Sequence, residues 1–194
     1  MASEGPLSAG TGADDSSVGT IAWSNPTRVV ASDNSRSSAS LSGAGSISHY
    51  LKATSFGFAI PAGATIDGIV VEIEKREQES ADDVKDSKVR IIKSDGTIGT
   101  TDRADTATEW GTSDAYATYG GTTDLWGEAW SSTDINDADF GVAISAVSAP
   151  GSAVADVDHI RITVYYTEST YTAAMFPFPR RPDPRFDPPR VVAY

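Results

Sequence analysis

The sequence predicts an all-β protein, an antiparallel β-sandwich or jelly roll with extended N- and C-terminal arms. Three observations carry this. In residues 64–77, Ile69, Val71 and Ile73 alternate with Val70, Glu72 and Glu74, the period-two pattern of a strand with one buried face. Residues 157–167 repeat the design, with Ile160, Ile162, Val164 and Tyr166 on one side and Arg161, Thr163 and Tyr165 on the other. Between and before these runs lie further short apolar runs, seven to nine strands in all, divided by turn sequences and without a convincing long helix. Neither long strand can bury its apolar face alone, so a second sheet has to cover it.

Taken in order, residues 1–20 are rich in Gly, Ser, Ala and Asp and read as an arm or linker. Apolar content starts with Ile21, Trp23, Val29 and Val30, around a turn at Asn25-Pro26. Residues 32–48 read as loop with a short strand near residues 39–41. Residues 50–60 alternate again, with Phe56, Phe58 and Ile60 on one face and Pro61 ending the run. After the strand of residues 64–77, residues 72–88 are charged and lack the apolar stripe of a helix, so they read as strand running into a charged loop. Val89 and Ile91, the turn Ser94-Asp95-Gly96 and Ile98 form a hairpin. Residues 100–132 mix Trp110, Tyr116, Tyr119, Trp126 and Trp130 with Thr, Asp, Ser and Gly. Residues 133–136 give one helical turn, capped by Ser132 or Thr133. Phe140, Val142 and Ile144 form another strand, and the last ends near Thr167. The division is therefore an arm over 1–20, a sandwich domain over 21–167 and a second arm over 168–194.

That second arm has its own chemistry. Six of the ten prolines lie between Pro177 and Pro189, interleaved with Phe176, Phe178 and Phe186 and with Arg180, Arg181, Arg185 and Arg190. Such a density of proline favours extended polyproline II, in which an arm of this length could reach on the order of 70 Å. Two readings follow: a docking arm, with the phenylalanines as anchors and the arginines suited to an acidic partner, or a disordered tail. The chain carries a net charge of −12. Residues 171–194 hold four Arg and two Asp, so the remainder is at −14. Such a body repels nucleic acid. The arm's Arg residues would meet an acidic protein surface, including a copy of the same body.

Catalytic motifs are lacking. There is no cysteine, hence no disulfide frame, thiol nucleophile or Cys-ligated zinc. The start has neither the basic region nor the apolar run of a secretory signal, and no stretch approaches membrane-spanning length. The two histidines, His49 and His159, have no Gly-x-Ser-x-Gly elbow beside them. Carboxylate pairs such as Asp82/Asp83 and Asp156/Asp158 are what chance produces among 27 acidic residues. Structural calcium is the one metal that the acidic clusters at 79–86 and 102–105 would suit, although an EF-hand loop is absent. No cofactor and no catalytic residue is expected. Trp110, Tyr116, Tyr119, Trp126 and Trp130 admit two readings, a glycan-stacking surface with nearby Asp and Asn taking hydroxyls, or plugs in the core.

The combination Trp23-Ser24-Asn25-Pro26, Tyr50-Leu51-Lys52-Ala53, Phe56-Gly57-Phe58, Ile66-Asp67-Gly68-Ile69, Leu125-Trp126-Gly127, Asp139-Phe140-Gly141-Val142 and Val157-Asp158-His159-Ile160 resembles a β-sandwich module of tailed-bacteriophage virion structural proteins. It covers about residues 20–167. The resemblance implies a non-enzymatic virion component made in the host cytoplasm: a capsid decoration or cement protein, or a carbohydrate-binding piece of tail or fibre. Its partners would be major capsid or tail proteins and copies of itself, in a homo-oligomer for which trimers are well suited. Nucleic acid and membrane are not among them. The arm residues Phe176, Phe178, Arg180, Arg181, Arg185 and Phe186 would bind the partner.

Overall fold

The computed structural model describes residues 1–79, 83–149 and 151–169. Among these residues, nine strands build two antiparallel sheets packed face to face: β1 (Ala2–Ser8), β2 (Thr11–Asp15), β3 (Ser37–Ser42), β4 (Tyr50–Thr54), β5 (Thr65–Glu77), β6 (Val84–Ile92), β7 (Ala115–Gly121), β8 (Gly141–Ser148) and β9 (Ser152–Thr167). The first sheet runs β1-β9-β5-β7, with β3 pairing the other half of β9, and the second runs β2-β4-β8-β6. The fold is the all-β sandwich that the alternation predicts. Ile69, Val71 and Ile73 of β5 and Ile160, Ile162 and Val164 of β9 are wholly buried, and they face Val89 and Ile91 of β6 and Val142 and Ile144 of β8 across one core.

Sequence and structure part at several places. Residues 1–20 are not a free arm: β1 pairs with β9 from Ala2↔Tyr166 to Ser8↔Arg161, and β2 pairs with β4 from Thr11↔Thr54 to Asp15↔Tyr50. Small polar residues suffice because both strands sit at sheet edges, where backbone pairing does most of the work and one face is wet. Residues 50–60 do not form one strand. β4 stops at Thr54, because Ser55 and Gly57 take positive φ of 60° and 75°, although Phe56, Phe58 and Ile60 still turn inward. The helical turn is Ser132–Ile135, and its cap is Ser131, one residue earlier than the sequence suggests, in a reciprocal capping box with Asp134. The turn at Ser94-Asp95-Gly96 brings Ile98 back to a bridge with Ile92 as expected, but residues 97–110 are not a free loop. They lie along the outer edge of β6, with Gly99, Arg103 and Trp110 N–H groups donating to Ile91, Val89 and Val84 carbonyls at 2.8, 2.8 and 2.7 Å.

β9 is interrupted by one irregularity. Val157 and Ile160 both point into the core, and the two residues between them both point out. The register against β5 slips by one there, where Glu74 pairs with His159 and Lys75 with Val157. A bulge of this kind re-aims side chains that strict alternation would separate.

Candidate functional site

Beside β7 runs a cleft of about 400 Å³, bounded on one side by residues 115–120 and on the other by the segment that covers β6. Its floor is a buried polar cluster. Lys75 comes from the inward face of β5 and Asp86 from β6, and they form an ion pair in which Asp86 is fully buried. Tyr119 OH donates to Asp86 Oδ2 at 2.8 Å and lies 2.6 Å from Lys75 Nζ. Trp110 Nε1 donates to Asp86 Oδ1 at 2.8 Å, and the Asp105 N–H donates to Oδ2 at 3.0 Å. The Lys75 ammonium sits 4.6 Å from the Trp110 ring centroid and 5.3 Å from that of Tyr119, a desolvated cation–π arrangement. Burial pulls Lys75 below the usual lysine range, partly restored by Asp86, and pushes the Tyr119 phenol well up. Four donors converge on Asp86, and through them the cluster ties β5, β6, β7 and the 100–110 segment together.

A second polar group lies on the outer face of the first sheet, where the bulge places Asp158 and His159 side by side opposite Glu74. His159 bridges Ser8 Oγ, 2.9 Å from Nε2, and Tyr116 OH, 2.7 Å from Nδ1. Asp158 Oδ2 accepts from Asn34 N–H at 3.1 Å, while Asp158 Oδ1 and Glu74 Oε2 are buried without a hydrogen-bond partner. Burial pushes Asp158 up and, with Arg161 adding to it, pulls His159 down; the Glu74 charge raises both. Glu72 and Arg161 close the row with two 2.9 Å hydrogen bonds, and the Arg161 guanidinium stacks 4.0 Å from the Tyr116 ring.

Ser8 beside His159 has the spacing of a nucleophile and its base, but an acyl-transfer site also needs donors for an oxyanion. The two N–H groups that follow Ser8 are spent: Ala9 donates to Ile160 O, and Gly10 to Thr54 O and Ser55 O. The geometry therefore fits a structural bridge between β1, β9 and β7.

The five aromatic residues do not make one surface. Trp110, Tyr116 and Tyr119 meet at the cleft, but Trp110 and Tyr119 are only 3% and 5% exposed. Trp126 is wholly buried and donates from Nε1 to Ile69 O at 3.1 Å. It can do so because Gly120, at φ +74°, has no side chain; a Cβ there would stand 2.6 Å from that indole nitrogen. Trp130 packs edge-on against Phe140 at 5.4 Å and donates to Leu125 O. For Trp126 and Trp130, core packing is the reading that the geometry gives. The carboxylates of the 102–105 cluster, which would suit calcium by type, are occupied: Asp102 accepts from Val89 and Ala104 N–H, and Asp105 from Ala107 and Thr108 N–H. Among the described residues, no three metal-ligating side chains converge. Phe176, Phe178, Arg180, Arg181, Arg185 and Phe186 lie outside the described residues.

The outer cluster is not legible in the sequence, because the one-residue slip in β9 leaves no mark in the alternation of residues 157–167. The ion pair has one mark, a lysine at Lys75 on the face that Ile69, Val71 and Ile73 bury. Compared with family models, with curated proteins and with solved structures, the chain matches none.

Proposed function

We propose that this chain is a non-enzymatic virion structural protein, a capsid decoration or cement protein that binds a lattice and clasps neighbouring subunits through its C-terminal segment. The observation that carries this reading is a contrast in where apolar side chains are placed. Among the described residues, Met1 is the one large apolar residue that is exposed, at 73%. The sandwich thus presents a polar, acidic surface without anchors of its own, whereas the sequence after residue 169 concentrates three Phe and four Arg. Hot spots of binding are anchors of that type, and tethering to a rigid body turns several weak contacts into a firm clamp. The resemblance to phage virion modules supports the same reading. The N-terminal segment has no part in it, being committed to both sheets.

The test compares the full chain with one ending at Ser169, by solution mass and by binding to capsid or tail particles. Assembly or particle binding by the full chain, and its loss on truncation with an unchanged melting temperature, is the expected outcome. Equal behaviour of the two refutes the clasp.

One observation favours a second reading, a carbohydrate-binding module of tail or fibre: Trp110, Tyr116 and Tyr119 share a cleft with Arg103 and Glu109. That reading predicts that Tyr116→Ala removes glycan binding on an array while the fold persists. Trp126, wholly buried, and Trp130, half-buried against Phe140, are no part of it.

A further inference from the structure

Sheet edges are hazards that proteins cover, charge or break, and among the described residues four of the five edges are managed. β1 carries a register irregularity and Pro6. β2 is short, ends in Asp14-Asp15, and lies against the turn at Pro26–Val29. β3 meets Ser24 across a bridge. β6 is charged and covered by residues 97–110. β7 is different: Ala-Tyr-Ala-Thr-Tyr-Gly-Gly has neither charge nor proline. Ile69 N–H and C=O point toward β7, since they meet Asp124 O and Trp126 Nε1, and Glu77 N–H meets Gly111 O on the same side. By alternation, Val71, Ile73 and Lys75 pair with Tyr119, Ala117 and Ala115. The backbone groups of Tyr116, Thr118 and Gly120 therefore face away from the sheet, into the cleft that runs along this strand.

We propose that the free edge of β7 is a strand-docking site, and that its occupant is residues 171–176 of a second copy of this chain. The inference rests on the assembly reading above and names the surface that the clasp grips. Residues 171–176, Tyr-Thr-Ala-Ala-Met-Phe, are the proline-free stretch between the body and the first proline of the segment. Tyr, Thr and Phe favour strands, and Phe176 precedes Pro177, which biases it to extended backbone. An added strand gains main-chain hydrogen bonds from the edge and places alternate side chains in the adjoining cleft, whose lining includes Tyr116, Arg103 and Glu109. The arm's net charge of +2 meets a body at −14.

A chain cannot serve its own edge in this way. Ser169 lies beside Gly63, just before β5, and a position outside β7 is two strand spacings away, about 10 Å. From residue 169 to residue 171 the chain spans at most about 7 Å. The six residues must come from a neighbour.

The full chain is the material for the test, by sedimentation equilibrium over a concentration series together with amide hydrogen exchange. The expected result is a mass above the 20.3 kDa of one chain, with exchange at the Tyr116, Thr118 and Gly120 amides slowed about tenfold or more on association. Thr118→Pro removes an outward N–H while sparing the ladder to β5, and returns the mass to that of one chain. Should Thr118→Pro disturb folding, the exchange of the unmodified chain decides alone. Unchanged exchange at the three amides on association overturns the proposal. So does their protection in the monomer, or an oligomer that a folded Thr118→Pro chain still forms. A combined Phe176→Asp, Phe178→Asp and Phe186→Asp chain separates the two readings: if it stays monomeric while β7 proves irrelevant, the clasp stands and only its grip is misplaced. A full chain that is monomeric throughout and binds no particle overturns both.

Discussion

Asp86 gathers four donors in the core: the Lys75 ammonium, the Trp110 indole, the Tyr119 hydroxyl and the Asp105 amide all point at it. Removing it leaves a buried cation without its counter-charge, so Asp86→Ala is predicted to cost about 3–5 kcal/mol in urea unfolding. Lys75→Met keeps three donors on Asp86 and is predicted to cost less, an order that the same measurement checks. Trp126→Ala empties a fully buried site and is predicted to cost about 3–5 kcal/mol without altering assembly. His159 gives a pH test. It faces Tyr116 from β7, Glu72 and Glu74 from β5, and Asp158 and Arg161 from its own strand. Because burial holds its folded pKa below the ordinary 6.5, the unfolded chain binds the proton first as pH falls. Its contribution to stability is complete above 6.5 and is lost as pH drops from there to the folded value. Asp158, raised by burial, works the other way, gaining stability as it is protonated. His159→Gln should therefore flatten the decline just below pH 6.5 in melting curves, and a slope equal to that of the unmodified chain would refute the assignment.

At the scale of elements, β9 organises the fold, since it pairs with β1, β3 and β5. Residues 69, 71 and 73 of β5 are legible as its buried neighbours because period two leaves an unmistakable mark. β1 and β2 are not legible, since Ala-Ser-Glu-Gly-Pro-Leu-Ser and Thr-Gly-Ala-Asp-Asp have no apolar alternation to read. Their strand character comes from the partners they meet. Deleting residues 1–15 is accordingly predicted to lower stability by about 3 kcal/mol or more, roughly 6–12 °C in Tm for a domain of this size. A linker would leave Tm unchanged in calorimetry.

At the scale of the whole molecule, the described residues form a sandwich whose β7 edge has neither charge nor proline, and on the proposed reading the segment after residue 169 supplies the anchors. A clasp of Arg on carboxylate would weaken with salt while strand docking and Phe burial would not, so assembly should fall only partly between 0.05 and about 0.5 M salt in sedimentation. The sequence by itself determined the all-β class, the core faces of β5, β8 and β9, and the change in chemistry after the last strand, because alternation and proline density are local properties of the chain. It grouped Trp110, Tyr116, Tyr119, Trp126 and Trp130 without showing that the first three meet at the cleft and the last two do not. Only the tertiary structure decided that residues 2–15 are strands, that Lys75 is held by Asp86, and that Asp158 and His159 share a face through a one-residue slip. Each of these depends on which partner a residue meets across the sheets, and pairing between distant segments leaves no trace in local sequence.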